Sequence, residues 1–248
     1  PILSFSNDSG VAGNNIYILG HIPAQSISRV VDYARAKGMK RFAALVPNGV
    51  YGQRASSTML RHVKDVGGTM VAIQTFNRDS QSIEGATKKL AQNGEFDAVL
   101  LADNGDMAIK AAPYIRKNAS ATAKILGTDL WNTSSNLAGA PAMHGAWFAS
   151  VSDSLYKQYA DRYRARYGKA PFRLSSLGYD SVLLTVKVAR NWKVGSPFPI
   201  NQLTDKGGFI GLDGVFRFKA DGVSERALEV QEIRNGSFAV IDPAPKAF

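Results

Sequence analysis

Apolar residues between positions 22 and 131 recur at two alternating spacings. Ile27, Val30, Val31 and Ala34 follow i, i+3, i+4 and i+7, the interval of one helix face, with Pro23 in the first turn and Gly38 as the stop. Phe42–Val46 is then a continuous apolar run, the pattern of a strand covered on both faces. The cycle repeats. Ala55, Met59, Val63 and Val66 stripe a helix closed by Gly67-Gly68, and Met70–Ile73 opens the next strand. Ile83, Ala86 and Leu90 stripe another, stopped by Gly94, before the strand Ala98–Ala102. Met107, Ala111, Tyr114 and Ile115 predict a fourth helix, which Pro113 should kink, and strands are predicted at Lys124–Gly127 and Ala146–Val151. A strand-to-strand period of roughly 25 to 30 residues is that of a βαβ unit, so the pattern predicts a parallel sheet wrapped by helices.

The flanks read differently. Pro1–Ser6 is an apolar strand running into polar turn residues, and Asn15–Gly20 is a second short extended segment. Past Ser152 come two long predicted helices, about 153–167 and 174–192, joined by Gly168-Lys169-Ala170-Pro171. A Gly/Pro-rich link at 195–199 leads to a β-rich tail. Its strands are Val215–Phe218, Leu228–Arg234 and Phe238–Ile241, with turns at Asp221-Gly222 and Asn235-Gly236. An α/β core that hands over to helices and ends in a meander predicts two lobes rather than one simple wound sheet.

Composition narrows the class. The 248 residues are 45% hydrophobic and 20% charged, a globular balance, and no stretch reaches the roughly 18 apolar residues of a membrane helix. There is no cysteine, which removes disulfides, thiolate metal sites and thiol nucleophiles together. No signal peptide is recognisable, and a chain that opens inside a strand reads as part of something longer. The net charge of +10 raises the question of an anionic partner. Its densest cluster is Arg162, Arg164, Arg166, Lys169 and Arg173, interleaved with Tyr156, Tyr159, Tyr163 and Tyr167 on one helical face. Those tyrosines are expected to pack inward while Arg162 and Arg166 face water. Nucleic acid is not expected as a partner.

Catalytic signatures are absent. The chain has no GxxxxGK[ST] phosphate loop, no GxGxxG after a strand, no GxSxG elbow and no HExxH pair. His21, His62 and His144 are far apart and read as structural rather than as metal ligands. Asp103, Asp106 and Asp129 lie near strand ends, which leaves a paired-carboxylate site open on spacing alone. The reading is a binding protein, not an enzyme, with no catalytic or metal residue and no cofactor. What remains is a set of polar and aromatic residues after successive strands. Ser4, Ser6, Asn7 and Asp8 follow the first, Tyr51 the third, Asp103 and Asn104 another, and Asp129 and Trp131 the next. Open parallel sheets bind ligands at these strand ends, where an aromatic wall and a few fixed donors suit a small polar molecule. Ser, Asn and Asp also serve as turn and cap residues at such places, so each alone is weak and the set carries the reading.

Several pieces resemble the type I periplasmic binding proteins, the branched-chain amino-acid receptor superfamily. They are Pro1-Ile2-Leu3-Ser4-Phe5-Ser6, Ala43-Ala44-Leu45-Val46 with Tyr51-Gly52, Asp97-Ala98-Val99-Leu100-Leu101, and Ile125-Leu126-Gly127-Thr128-Asp129. Tyr163, Tyr167-Gly168, Pro171 and Gly178-Tyr179-Asp180 match too, as do Gly211, Gly214-Val215-Phe216-Arg217-Phe218 and Asp221-Gly222. The resemblance implies an α/β fold of two lobes with doubly wound, mainly parallel sheets, joined by crossover strands and closing on a ligand. It also implies further βα units upstream of Pro1, leaving the first lobe incomplete. Lobe one would hold residues 1–20 and 153–205, and lobe two residues 21–152 and 206–248.

By the same resemblance, hydroxyls and amides after the opening strand take a ligand carboxylate, an acid takes its ammonium group and aromatics cover it. Tyr51 matches the tyrosine and Asp129 the acid. Asp8 falls where a hydroxyl is usual and would repel a carboxylate, and Asp103 or Asn104 stands in place of a second aromatic. The implied function is non-enzymatic uptake of an amino-acid-like solute in the bacterial periplasm with an ABC-transporter permease as partner. The chain is also similar to the lipoprotein activators of penicillin-binding proteins. In that branch the partner is a peptidoglycan synthase and the membrane is met only through an N-terminal lipid anchor outside this chain.

Overall fold

A computed structural model describes residues 1–190 and 192–248, and the chain divides into two compact units. The second unit, residues 23–150 and 229–243, holds the βαβ cycle. Its elements are α1 (Pro23–Ala36), β3 (Arg41–Pro47), α2 (Val50–Asp65), β4 (Thr69–Phe76), α3 (Ser80–Gln92), β5 (Ala98–Leu101), α4 (Gly105–Tyr114), β6 (Lys124–Gly127) and β7 (Trp147–Ser150). The hairpin of β11 (Glu229–Arg234) and β12 (Ser237–Asp242) is added at one edge. The seven strands lie in the order β12-β11-β7-β6-β5-β3-β4, parallel from β4 to β7 and antiparallel through the hairpin.

The apolar stripes fall where the periodicity places them. Ile27, Val30, Val31 and Ala34 of α1 and Ala55, Met59 and Val63 of α2 pack on one face of the sheet around Phe42, Ala44 and Val46. Ile83, Ala86 and Leu90 of α3 and Ala108, Ala111 and Ala112 of α4 cover the other, around Leu45, Val99 and Leu101. Strands buried on both faces must be continuous apolar runs, and β3 and β5 are. Pro113 lies inside α4, and the chain passes into a π-helical turn at Ile115–Ala119, as expected where proline removes an i→i−4 hydrogen bond.

The first unit comprises residues 1–22, 151–228 and 244–248. It contains β1 (Ile2–Ser4) paired in parallel with β2 (Ile16–Ile18), helices α5 (Ser154–Tyr167) and α6 (Ser175–Ala189), and an antiparallel sheet β10-β9-β8. Those three strands are Phe209–Gly211 (β8), Gly214–Phe218 (β9) and Ser224–Arg226 (β10). Its core gathers Leu19, Leu177, Leu184, Val188, Leu203, Phe209, Phe216 and Phe218. The helix predicted over 174–192 is found at Ser175–Ala189, and of the remaining positions Asn191 lies outside the described residues.

Two expectations change here. Residues 206–248 were expected together in lobe two, but β8, β9 and β10 pair with one another in the first unit, and only the β11–β12 hairpin joins the large sheet. The tail is therefore not one meander: alternation marks strands without naming the sheet they join. The tyrosine face of α5 is not buried either. Tyr156, Tyr159, Tyr163 and Tyr167 pack ring against ring at 5.9, 5.9 and 4.6 Å, and Tyr167 is 56% exposed. Arg162 and Arg166, expected on the opposite side, line the same cavity of about 290 Å³ as Tyr159, Tyr163 and Tyr167.

Two motif fragments meet in this unit. Asp180 accepts from the Leu212 amide at 2.7 Å, and a Cβ on Gly211 would collide with its carboxylate. Burial pushes the Asp180 carboxyl up, partly offset by that amide. Beside it, buried Asp213 accepts from His21 Nε2 (3.0 Å), Arg173 Nη1 (2.6 Å) and Ser176 Oγ (2.8 Å), and Arg173 also reaches Asp153 (3.0 Å).

Candidate functional site

In the second unit β3 is flanked by β4 on one side and β5 on the other, so successive connections leave it in opposite directions. The helix α2 that follows β3 covers one face, and the helix α4 that follows β5 covers the other. That is a topological switch point, where the loops at the carboxyl ends part and leave a crevice. Tyr51 stands at the end of β3, Asp103 and Asn104 at the end of β5, and Thr128 and Asp129 at the end of β6.

Local packing places each of them. Gly52 sits against the β3 terminus, where a Cβ would collide with the Pro47 carbonyl oxygen. Only glycine lets the first turn of α2 approach so closely, and this sets Tyr51 beside β6. The Tyr51 hydroxyl meets Thr128 Oγ1 at 3.2 Å. Burial pushes the Tyr51 phenol well up, with the negative charges of Asp129 and Asp103 adding to it despite the Thr128 hydrogen bond, so the group remains a neutral donor and acceptor. Asp129 accepts from Ser26 Oγ at 2.8 Å, and Ser26 Oγ is also 2.9 Å from the Pro23 carbonyl oxygen.

Asp103 departs from expectation. Its carboxylate is buried and held in a fork by Arg78, with Nε at 2.9 Å and Nη2 at 3.1 Å, and it also accepts from the Asn104 amide at 2.8 Å. Read from sequence as a carboxylate offered to ligand, it instead anchors a guanidinium whose side chain is 56% exposed. The bond to Asp103 pushes the Arg78 pKa up, so its charge is permanent.

Trp131 also departs. It is fully buried and makes the core of its unit, packing over Gly127 and against Phe148 (ring centroids 6.0 Å). Its indole Nε1 donates to the Asp103 carbonyl at 3.0 Å. A side chain with no exposed surface is no ligand wall; it braces the β5 end instead. Asn104 is an exposed cap, accepting from the Met107 amide at 3.0 Å.

The first-unit candidates form a string of local turns. Ser4 Oγ accepts from the Ser6 amide (3.3 Å), Ser6 Oγ from the Asp8 amide (3.0 Å), and Asp8 from the Gly10 amide (2.9 Å); Asn7 is exposed. The serine hydroxyl protons remain to be given, whereas Asp8 contributes only negative charge.

Sequence reading missed Ser26, Thr128 and Arg78. Ser26 and Thr128 could have been found by their neighbours, at a helix start and before Asp129. Arg78 resembles any solvated loop arginine until its partner is known. The histidines are structural: His21 meets Asp213, His62 meets Asp32 at 2.7 Å and His144 the Ala138 carbonyl at 3.1 Å. No described helix is long and apolar enough to cross a membrane.

The family described as periplasmic binding protein matches residues 1–237. Among curated proteins, an uncharacterized protein of Rickettsia prowazekii (strain Madrid E) is 23% identical over 97% of this chain, and the chain spans 65% of that relative's length. Among solved structures, the leucine-binding protein LivK of Thermotoga maritima aligns with a TM-score of 0.72 at 20% identity, covering 98% of this chain and 73% of that one. An ABC transporter substrate-binding protein from Sphaerobacter thermophilus aligns at 0.77 and 16% identity, covering 95% and 68%. One from Desulfitobacterium hafniense, solved in complex with Leu, aligns at 0.68 and 18%, covering 94% and 69%. At these identities the structural likeness speaks for the fold alone.

Proposed function

The chain belongs to the periplasmic binding protein family, and from that premise we propose that it is a non-enzymatic solute receptor of the bacterial periplasm, serving ABC-type uptake of a small, polar, amino-acid-like ligand. The observation that carries this is the convergence of Tyr51, Thr128, Asp129 and Ser26 on the switch-point strand ends of the second unit. Asp129 receives an ammonium group, whose charge-assisted hydrogen bond is about twice as strong as a neutral one. Tyr51 supplies an apolar ring edge with a fixed hydroxyl, and Ser26 keeps the Asp129 carboxylate in place.

A thermal-shift screen against amino acids, small organic acids and muropeptides tests this. A ligand present at a hundredfold excess over its Kd stabilises by about 2.7 kcal/mol, which moves the melting point by roughly 2–4 °C for a protein of this size. A shift with one compound class supports the receptor; a flat screen on folded protein removes it.

A second reading, regulation of a peptidoglycan synthase by protein contact, draws on the half-buried tyrosine ladder that ends in exposed Tyr167, with Arg162 and Arg166 beside it. Charge reversal at both arginines should abolish such a contact and leave solute binding unchanged.

A further inference from the structure

Resting on the receptor reading, we propose that Arg78 is a specificity-determining residue of the site and that the ligand carries an acidic group for it, as an acidic amino acid or a related small aminodicarboxylate does. Three observations on the second unit carry this. The end of β5 presents an ion pair with the cation outermost: Asp103 is buried and Arg78 is 56% exposed. The guanidinium is already oriented, because Nε and Nη2 are both engaged on Asp103 while Nη1 has no protein partner among the described residues. The end of β5 that carries Asp103 lies between the ends of β3 and β6, which carry Tyr51 and Asp129, so the ion pair and those two residues border one region.

The chemistry follows from that order of charges. A branched aliphatic side chain set beside a half-exposed guanidinium strips water from a cation and returns nothing. A carboxylate there completes the fork with a charge-assisted hydrogen bond, and the entropy of ordering the arginine has already been spent on Asp103. Across the site, Asp129 is the acceptor for ammonium. The pair Asp129 and Arg78 thus offers opposite charges to opposite ends of one small molecule. Lysine could not replace Arg78, since a point-charge ammonium has no planar fork to hold Asp103 on one edge and a ligand on another.

Isothermal titration of the purified protein with L-glutamate, L-aspartate, L-glutamine and L-leucine tests the proposal. Arg78→Ala leaves Asp103 buried without its cation, so the paired change Arg78→Gln with Asp103→Asn keeps a neutral hydrogen-bonded pair and a foldable chain. The expected result is that glutamate or aspartate binds more tightly than leucine. In the paired variant the acidic ligand should lose about tenfold or more in affinity, while glutamine changes by less than about threefold. Tighter binding of leucine, or an acidic ligand indifferent to the paired variant, overturns the role of Arg78 and leaves the receptor reading standing. No binding by any of the four overturns this proposal, and the thermal-shift screen then decides whether the receptor reading falls with it.

Discussion

Removing the Asp213 carboxylate is the sharpest test of how the first unit holds together. The side chain is fully buried and takes hydrogen bonds from His21, Arg173 and Ser176 at 3.0, 2.6 and 2.8 Å. Asp213→Ala leaves the largely buried Arg173 with Asp153 as its remaining carboxylate partner, at 3.0 Å. Losing one member of a buried ion pair costs about 3–5 kcal/mol, and the surviving Asp153 contact points to the lower end, about 3 kcal/mol. Asp213→Asn should rescue only part of this, because its amide can accept from Arg173 but carries no charge to pair with it. Burial alone would push the Asp213 carboxyl up, but the His21 hydrogen bond and the Arg173 charge more than offset it and hold the group below the usual carboxylate range. A carboxyl lowered in the folded state contributes stability above its unfolded pKa of about 4 and loses it as pH falls through the folded value. The part of the difference between wild type and Asp213→Ala that comes from the lowered Asp213 carboxyl should therefore persist at neutral pH and be lost only below about pH 4. Hydrogen exchange followed by peptide mass spectrometry reads this unit by unit: protection should fall in α6 and β9, with β3 and β5 unchanged. A loss under about 1 kcal/mol, or one spread equally over both units, would refute the argument.

Other consequences are more local. Gly52→Ala should cost about 1–3 kcal/mol by urea denaturation, because its Cβ meets the Pro47 carbonyl, whereas Gly85→Ala in α3, with open space around it, should gain about 0.5–1 kcal/mol. Trp131→Ala should cost about 3–5 kcal/mol, and Trp131→Phe should leave ligand affinity within about twofold, since the indole packs in the core. Asp129→Asn should lower affinity for an ammonium-bearing ligand by about tenfold or more, and Ser26→Ala by less, both read by titration calorimetry. Because burial raises the Tyr51 phenol, ligand affinity should show no inflection from it up to about pH 10.

Much of the second unit was legible in the sequence, because a sheet covered on both faces forces its pattern on the chain. The stripe Ile27, Val30, Val31, Ala34 could only be a helix face, and Phe42–Val46 could only be a strand buried on both sides. Partner choice was not legible. Gly214–Phe218 and Glu229–Arg234 alternate alike, yet one pairs within the first unit and the other against β7, since pairing is decided by neighbours far along the chain. The tyrosines of α5 sit at a helical interval that usually means burial, and they pack instead on one another and on Tyr179 (5.3 Å).

The candidate site divides along the same line. Position at strand ends singled out Tyr51 and Asp129 as candidates, because strand ends are where a wound sheet leaves backbone and side chains uncovered. Position could not give the sign of the charge displayed. Asp103 and Asp129 are the same residue type in the same structural place, and sequence reading put both among the candidate ligand contacts, with Asp129 as the acid for an ammonium group. Burial separates them: Asp129 is half-buried with a serine for neighbour, whereas Asp103 is enclosed beneath an arginine from the end of β4. A buried carboxylate cannot remain unpaired, so the chain supplies its cation from 25 residues away, and the surface presented there turns from negative to positive. The selectivity of such a site is set less by the residues at the strand ends than by what each has been paired with, and Arg78 is where that pairing reaches solvent.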